Sequence, residues 1–559
     1  MSDYTTRRKK HQSLHQQMVA QRQSFIPHWR DLSDYVLPSR SQFLVTDHAN
    51  RGNKKMSKIL DPTATMSAGT LSAGLMSGMT SPSRVWHQLG HPDKDLMEFQ
   101  PVKLWLANAN RVLANNFLKS NFYAVLPGLY EDCGVFETAA MCMLEDDKTV
   151  LRCHQYPIGS FCLAQNAKQI VDTFSQEFAW TVRQVVEEFG LDNCSRRVRA
   201  EYDRGNYETM VELFQIILPN PDADESQVDA KFKPWLSCFY EAGCDEDLAL
   251  SESGYDEFPI LAPRWKLQSR DVYGTDGPGM VTLPHVKELQ RMQLRKSQAV
   301  EKMVDPPFRG PVGMVGQRIS TQPGDFTAVP PSAGGQGFEP LFEMNPRVDM
   351  LQLDIDDRRR GIQRGYFEDL FLMFANSDRR EMTAEEVLKR HEEKIMVLGP
   401  VLGRFDQDLL KPSVERNFAV SLRSGLLPEP PPELQGQELK IEFVSVLHQA
   451  QKLAGLGPVE RVLGTVERIA KYYPAILAKV DLDQAVDEVA DLSGAPPKLV
   501  RPDEVAQEIR AQEQQAQQAA QRSAMLEQAS KTAKNLSQTT LDGDSALSRL
   551  AQAGQEQPA

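Results

Sequence analysis

The sequence predicts a mixed α+β protein in which helices predominate, and three features of the chain support this prediction. Apolar side chains recur at helical three- and four-residue steps over long stretches of the chain. Alternating and β-branched patterns, which are typical of strands, are concentrated in residues 148–176 and 205–268. A segment that holds 7 Gly and 8 Pro among 43 residues, 304–346, separates two long helical patterns.

The bulk composition is that of a folded protein large enough for more than one core. Its 559 residues are 41% hydrophobic and 25% charged, both ordinary values for globular chains. The formal net charge is −13, whereas proteins that bind DNA tightly and without sequence preference usually carry an excess of Lys and Arg. An acidic chain remains compatible with DNA handling if its task is to let the duplex slide past.

The seven cysteines are predicted to be reduced thiols, because their number is odd, no C-x-x-C pair occurs and no secretory signal opens the chain. Cys153 stands next to His154, with Cys142 and Cys162 nearby, but this spacing matches no common structural zinc site. Residues 62–83 carry no charge, yet their many Ser, Thr, Gly and Ala residues indicate close helix packing and are too polar for a membrane span. We therefore expect neither a metal nor a membrane segment, and synthesis in a cytoplasm.

The elements of the first half follow from periodicity. One helix is predicted over residues 5–36, within which His11 and His15 lie on a polar face and are expected to be solvated. Further helices are predicted over residues 101–119, 122–145 and 179–189.

In the second half, two long helices flank the segment rich in glycine and proline. The first is predicted over residues 283–303 and carries mostly basic charges, and the second over residues 347–375. After a break at residues 376–380, Thr383-Ala384-Glu385-Glu386 has the form of a capping box that begins another helix. From residue 500 onward the chain has 12 Gln and no aromatic residue, so this tail cannot build a core of its own.

The sequence contains no recognisable catalytic motif. It has no G-x-x-x-x-G-K-[ST] loop for nucleotide phosphates and no H-E-x-x-H zinc motif. Carboxylates cluster at residues 145–147, at residues 245–247 and at Asp354, Asp356 and Asp357, but each cluster lies in a local charge run. We interpret them as solvated or ion-paired faces and predict a protein that is not an enzyme and needs no cofactor.

The order of several short motifs is the strongest functional signal. The motifs are Leu60-Asp61-Pro62-Thr63-Ala64-Thr65 before a small-residue helix, Thr80-Ser81-Pro82, Phe136-Glu137-Thr138-Ala139, and Pro263-Arg264-Trp265. Each alone is weakly specific, but in this order, over residues 10–510, the chain resembles the head-to-tail connector (portal) proteins of short-tailed bacteriophages. That family more often has a glycine where this chain has Glu137.

The resemblance implies a division of the chain into the regions of a portal fold. In order along the chain these are 1–282 as the wing, 283–303 as the first stem helix, 304–346 as the clip, 347–375 as the second stem helix, 376–433 as a tunnel loop and wing helix, 434–499 as the crown, and 500–559 as a polar Gln/Ala-rich tail or barrel helices.

The resemblance also implies a function and partners. It implies a ring, typically of twelve subunits, at one capsid vertex of the virion, which acts as the channel for genome packaging and ejection. The implied partners are a terminase packaging motor, tail or adaptor proteins, capsid and scaffold proteins, and double-stranded DNA that passes without sequence-specific recognition. The competing hypotheses are a terminase or nuclease enzyme that acts at the same vertex, and another internal structural protein of the virion.

Basic side chains in such a ring have two possible destinations, and the sequence leaves both open. They can face DNA in the lumen, for which the candidates are Lys287, Arg291, Arg295, Arg379 and Arg380. Alternatively, they can pair with carboxylates of a neighbouring subunit, for which the candidates are Asp354 and Asp357.

Overall fold

The structure is a computed structural model, and its described residues fall into two units, Met1–Gln451 and Lys452–Ala559. The residues described are 2–45, 58–93, 96–97, 99–224, 226–227, 229–244, 249–268, 270–304, 308–309, 339–340, 348–376, 398–436, 439–444, 456–473, 509–516, 518–519, 522–523, 525–528 and 531.

Helices predominate, as the sequence predicts. They are α1 (Ser2–Arg22), α2 (Ile26–Tyr35), α3 (Thr63–Met79), α4 (Gln100–Lys119), α5 (Phe122–Phe136), α6 (Val182–Phe189), α7 (Arg196–Asp203), α8 (Pro278–Val304), α9 (Val348–Gly365), α10 (Glu368–Asn376), α11 (Lys411–Arg423) and α12 (Leu456–Ala470). A further helical stretch, residues 398–405, leads through a π-helical turn at Asp406–Leu410 into α11.

The strands form antiparallel sheets in the two regions with strand-like sequence and at a few sites outside them. They are β1 (His87–Gly90), β2 (Ala140–Asp146), β3 (Val150–Tyr156), β4 (Phe161–Gln165), β5 (Val171–Thr181), β6 (Met210–Pro219), β7 (Trp235–Glu241), β8 (Ala249–Tyr255), β9 (Ile260–Leu261), β10 (Phe308–Arg309), β11 (Glu339–Pro340) and β12 (Lys440–Phe443). The sheet orders are β4-β5-β6-β7-β8, β3-β2-β9, β1-β12 and β10-β11.

Helix α3 lies at the centre of the apolar core of the first unit. Its small side chains let neighbouring helices approach closely, as residues 62–83 predict. Gly74 lies directly against the ring of Phe371 on α10, and Leu71 packs against Gly134 of α5. A Cβ atom at either glycine would collide with these side chains, so the small-residue composition fixes the packing distance.

Three predicted helix boundaries in the first half of the chain are wrong. The helix predicted over residues 5–36 is two helices, since Pro27 in the first turn of α2 favours a new helix start there. The helix predicted over residues 122–145 ends at Phe136, and β2 follows. The helix predicted over residues 179–189 begins only at Val182, because β5 extends to Thr181, whose side chain caps α6.

His11 and His15 are buried, which contradicts the expectation that both are solvated. Helix α1 lies on the five-stranded sheet, where the ring of His11 hydrogen-bonds the hydroxyl of Tyr240 at 3.0 Å. The two ring nitrogens of His15 contact the Ser175 hydroxyl at 2.6 Å and the Glu177 carboxylate at 3.1 Å. The polar face of α1 therefore packs on polar side chains of the sheet, which helical periodicity alone does not distinguish from solvent.

The second unit is described by its own helices. Helix α12 has charged residues on one side, and Val462 and Ile469 are exposed on the other. Residues 509–516 are also helical, and most of their side chains are exposed.

A buried histidine lies where β1 pairs with β12, two strands far apart in sequence. His87 is opposite Phe443 in this pair, and its ring packs against the rings of Trp86 and Phe117 at centroid distances of 4.4 Å and 5.5 Å. Neither ring nitrogen has a hydrogen-bond partner in the described part of the chain. Burial lowers the pKa of His87 from 6.5 to about 4, so the folded protein holds this ring neutral.

Acid is therefore expected to destabilise the fold through His87. The unfolded chain takes up this proton near pH 6.5 and the folded chain only near pH 4, so the contribution of His87 to stability is complete above 6.5 and is lost as the pH falls toward 4. The full effect is roughly 3 kcal/mol at about 1.4 kcal/mol per pKa unit. We expect the urea midpoint to fall less between about pH 7.5 and about pH 5 in His87→Phe than in the wild type. The exposed control His285→Gln should behave like the wild type, and equal falls in all three proteins would contradict the assignment.

Candidate functional site: the pair of long helices

The two long helices that the sequence predicts, α8 and α9, pack side by side and run antiparallel. Near the end of α8, Lys296 donates to the side chain of Gln352 near the start of α9. About two turns earlier in α8, Glu288 forms an ion pair with Arg358 of α9 at 3.0 Å. Helix α8 has 27 residues, which corresponds to about 40 Å at 1.5 Å per residue.

The chain leaves and re-enters this helix pair at one end. Because α8 and α9 are antiparallel, Val304 and Val348 lie at the same end of the pair. Beyond it, β10 pairs antiparallel with β11, with Phe308 opposite Pro340. The described residues of the segment between the helices therefore form two adjacent short strands. Apart from these four residues, residues 305–347 lie outside the described part of the chain.

A buried junction at Asp61 attaches both helices to the core. The carboxamide oxygen of Gln290 on α8 accepts the backbone N–H groups of Leu60 and Asp61 at 2.6 Å and 2.9 Å, and its nitrogen donates to the Asp61 carbonyl at 2.8 Å. The Asp61 carboxylate also accepts hydrogen bonds from Thr63, at the start of α3, and from Arg359 on α9 at 2.8 Å. Burial opposes ionisation of this carboxyl, but the hydrogen bonds from Thr63 and Arg359 outweigh it and lower the pKa of Asp61.

Glu137 supports the beginning of α8. Its carboxylate accepts the backbone N–H of Met280 at 2.8 Å, and burial raises the pKa of Glu137 well above its usual range. The residue has a left-handed backbone with φ of 60°. This conformation favours glycine, which accounts for the glycine that the resembling family more often has at this position. Gly274 and Gly279 lie against the backbone of this turn, where a Cβ would collide.

The second long helix is shorter than predicted. The sequence predicts one helix over residues 347–375, whereas α9 ends at Gly365 and α10 begins at Glu368. Gly365, the last residue of α9, lies so close to Thr282 of α8 that a side chain there would collide. Phe367 then adopts a left-handed backbone, with φ of 57°, and stacks near Trp265 at a centroid distance of 6.4 Å.

The basic candidates of α8 fall into two groups. Lys287 forms an ion pair with Asp31 at 2.6 Å, and its ammonium group lies 5.5 Å from the centre of the Tyr35 ring. Arg291 and Arg295 are exposed and have no hydrogen bond or ion pair with any described residue. Of these three basic candidates, Arg291 and Arg295 are the two that lack a partner among the described residues.

The acidic candidates of α9 are also free. Asp354 and Asp357 are exposed and have no ion pair or hydrogen bond within the described ranges. Their neighbour Asp356 instead pairs with Arg359 at 3.0 Å. Arg379, Arg380 and the predicted capping box at Thr383 lie outside the described residues.

The carboxylates and thiols suggest structural roles. Asp146 accepts hydrogen bonds from Thr149, and Glu145 pairs with Arg423 at 2.7 Å, while residues 245–247 lie outside the described part of the chain. Among the described residues, no group of three or more His, Cys, Asp or Glu side chains could hold a metal ion. All seven cysteines are free thiols, six of them buried, and burial raises the pKa of Cys142 to about 12. No described helix is both long and apolar enough to cross a membrane.

Sequence reasoning missed the residues that hold the helix pair in place. Gln290, Arg359 and Asp31 act through contacts with residues remote in the sequence, and nothing in their local pattern indicates those partners. Asp61 had a signal, since it belongs to one of the motifs that carry the family resemblance. Its proximity to Gln290 and Arg359 shows why that motif matters for this part of the fold.

The described part of the chain therefore has an antiparallel helix pair, with the excursion formed by residues 305–347 at one end of it. The chain belongs to the family described as bacteriophage head to tail connecting protein, whose sequence model matches residues 8–500. This confirms the predicted family.

Two similar proteins narrow the role of the chain within this family. The chain is 44% identical over 537 residues to the portal protein of Salmonella phage epsilon15, with 96% of each chain covered. It is 40% identical over 537 residues to a probable portal protein of Bordetella phage BPP-1, again with 96% of each covered. The chain is accordingly a structural portal subunit and a virion component, and the comparisons give no support to the terminase or nuclease hypothesis.

Loss of the Gln290 carboxamide is expected to destabilise the attachment of α8. Replacing Gln290 with Leu leaves the buried N–H and carbonyl of Asp61, and the partly buried N–H of Leu60, without this partner. At about 1–3 kcal/mol for each such group, we expect the free energy of unfolding to fall by roughly 3 kcal/mol or more. The matched control is Gln17→Leu at an exposed position of α1, where a change within about 0.5 kcal/mol is expected. Equal effects of the two substitutions in urea unfolding would rule out the junction.

Proposed function

We propose that copies of this chain assemble into a closed ring at one capsid vertex and form the channel for packaging and ejection of double-stranded DNA. The observation that carries the proposal is the antiparallel pair of α8 and α9 with its excursion at one end. In the proposed ring the helix pair is the stem, and the excursion is the clip that meets the packaging motor and later the tail. Residues 1–282 then form the wing, and residues 376–433 contribute the tunnel loop and a wing helix.

The remaining regions and partners belong to the same proposal. Residues 434–499 form the crown, and residues 500–559 form a tail or barrel helices. Strand β12 lies in residues 434–499 and pairs with β1 of the proposed wing. This pairing attaches the beginning of the proposed crown to the wing. The partners are a terminase motor, tail or adaptor proteins, capsid and scaffold proteins, and eleven further copies in a ring of about twelve, the subunit number that the family resemblance implies. Synthesis takes place in the cytoplasm of the bacterial host.

The charge of the subunit suits a channel that must not hold its cargo. A net charge of −13 per chain makes any ring strongly acidic, and acidic walls repel phosphates. A few basic groups then supply weak contacts that salt can screen. Among the lumen candidates, Lys287 is already paired with Asp31, and Arg291 and Arg295, which are exposed and unpaired among the described residues, are equally available to a neighbouring subunit. The proposed contact with DNA therefore falls to Arg379 and Arg380, which rest on sequence alone.

Electron microscopy of the purified full-length chain tests the ring. We expect closed rings with a central hole in negative stain. Isolated compact particles at every protein concentration tested would contradict the proposal. Two-dimensional averages of top views would also give the subunit number, since rotational symmetry is read directly from them.

Charge reversal at Arg379 and Arg380 tests the proposed contact with DNA. If these side chains face the lumen, Arg379→Glu with Arg380→Glu should change the amount of DNA retained per particle, because like charges would meet the phosphates. Rings should form as before. The control is a double reversal at exposed positions of α4, Arg111→Glu with Lys119→Glu, which changes the net charge equally. DNA content equal to that of the control would show that the two arginines do not face the lumen.

A further inference from the structure

The outer sides of α8 and α9 carry complementary side chains that the chain itself does not use. On α8 a leucine lies between two arginines, and on α9 a leucine lies beside two aspartates. All are exposed, and the two leucines expose 45% and 65% of their surface. The residues are Arg291, Leu294 and Arg295 on α8, and Leu353, Asp354 and Asp357 on α9.

Each set forms one continuous face. Residues three and four apart lie on the same side of a helix. Leu294 is therefore a neighbour of Arg291, with Arg295 following directly, and Asp357 is a neighbour of both Leu353 and Asp354. Both faces are separate from the contact between the two helices, which uses Lys296 and Gln352.

The two faces also lie at matching heights along the helix pair. The contacts Lys296–Gln352 and Glu288–Arg358 fix the antiparallel register. In that register, Leu294 and Leu353 lie at the same height along the helix pair. Arg291 lies close to the height of Asp357 and Arg295 close to that of Asp354, each to within about two residues, or roughly 3 Å of helical rise. In a ring whose axis runs along the helix pair, rotation from one copy to the next leaves these heights unchanged, so the same levels meet between neighbouring copies.

We infer that these faces join neighbouring subunits of the ring, with Leu294 of one copy against Leu353 of the next, Arg291 opposite Asp357 and Arg295 opposite Asp354. The inference rests on the proposed ring and names the contact that closes its stem. The interface is heterologous, since one side presents α8 and the other α9, and such contacts generate rings when the rotation closes. An apolar centre with ion pairs beside it resembles the core and rim of protein interfaces.

A second copy accounts for these faces better than DNA does. Phosphates would attract the two arginines, but they would be repelled by Asp354 and Asp357 and would leave both leucines exposed. The α8 face of a neighbouring copy satisfies all three residues of the α9 face at once. A contact between these arginines and DNA is the alternative that the experiment on charge reversal distinguishes.

Charge reversal and charge exchange test the inference on assembled rings of the full chain. Rings of the wild type should dissociate as salt rises, because salt weakens exposed ion pairs. The screening length is about 10 Å at 0.1 M salt and shortens as the salt concentration rises. Arg291→Glu with Arg295→Glu, or Asp354→Arg with Asp357→Arg, should lower the fraction of chain in rings at least about tenfold at moderate salt, because like charges then face each other. The fourfold exchange should restore rings, and Arg111→Glu with Lys119→Glu is the control of equal charge change. Sedimentation measures the ring fraction.

A disulfide experiment tests the geometry without reversing any charge. Oxidation of Leu294→Cys with Leu353→Cys should give a ladder of linked chains on a non-reducing gel, ending at the size of the whole ring. Either single variant should remain a monomer on the gel. A double variant that stays monomeric would overturn the inference.

The outcomes separate this inference from the proposed function. If the wild-type chain forms no rings, both fail. If rings form but both reversal variants have the salt tolerance of the control, the interface is wrong and the ring stands. If Arg291→Glu with Arg295→Glu instead changes only DNA retention, these arginines face the lumen and the inference is overturned.

Discussion

The buried hydrogen bonds around Asp61 are the constraint on which the position of the long helices depends. Through this one residue the start of α3, Gln290 of α8 and Arg359 of α9 are tied together. The long helices contact each other along one side and leave much of their remaining surface to solvent in the isolated chain. Their direction relative to the core is therefore set at a few anchoring points, of which Asp61 is the most connected. Glu137 supplies a second anchor at the beginning of α8.

Whether a charged side chain of α8 or α9 is paired depends on the side of the helix on which it lies. Those directed toward the protein body or toward the partner helix are satisfied within the chain, as in the pairs Lys287–Asp31 and Arg358–Glu288. Those on the outer faces, such as Arg291 and Asp357, are left free among the described residues. A chain that acted alone would gain nothing from unpaired charges beside exposed leucines. In the proposed ring the same features would meet identical neighbours.

Much of the architecture was predictable because it depends on local patterns. The two long helices, the strand-rich regions and the close packing of α3 all follow from periodicity and composition, and the family follows from the order of short motifs. The errors arose where distant contacts decide. The polar face of α1 packs on a polar sheet, so His15 is buried. Phe367 leaves helical geometry where its ring packs near Trp265. The partners of Lys287 and Gln290 come from residues far along the chain, which a single sequence does not indicate.

In the proposed ring, α8 and α9 form the wall of the channel. A symmetric cryo-electron microscopy reconstruction of the purified assembly tests it most directly, by measuring how far each helix lies from the rotation axis. We expect the antiparallel pairs of all subunits together to surround the central opening. The excursion between Val304 and Val348 should then lie at one end of that opening. A reconstruction with both helices on the outer surface, and another part of the chain around the opening, would contradict it.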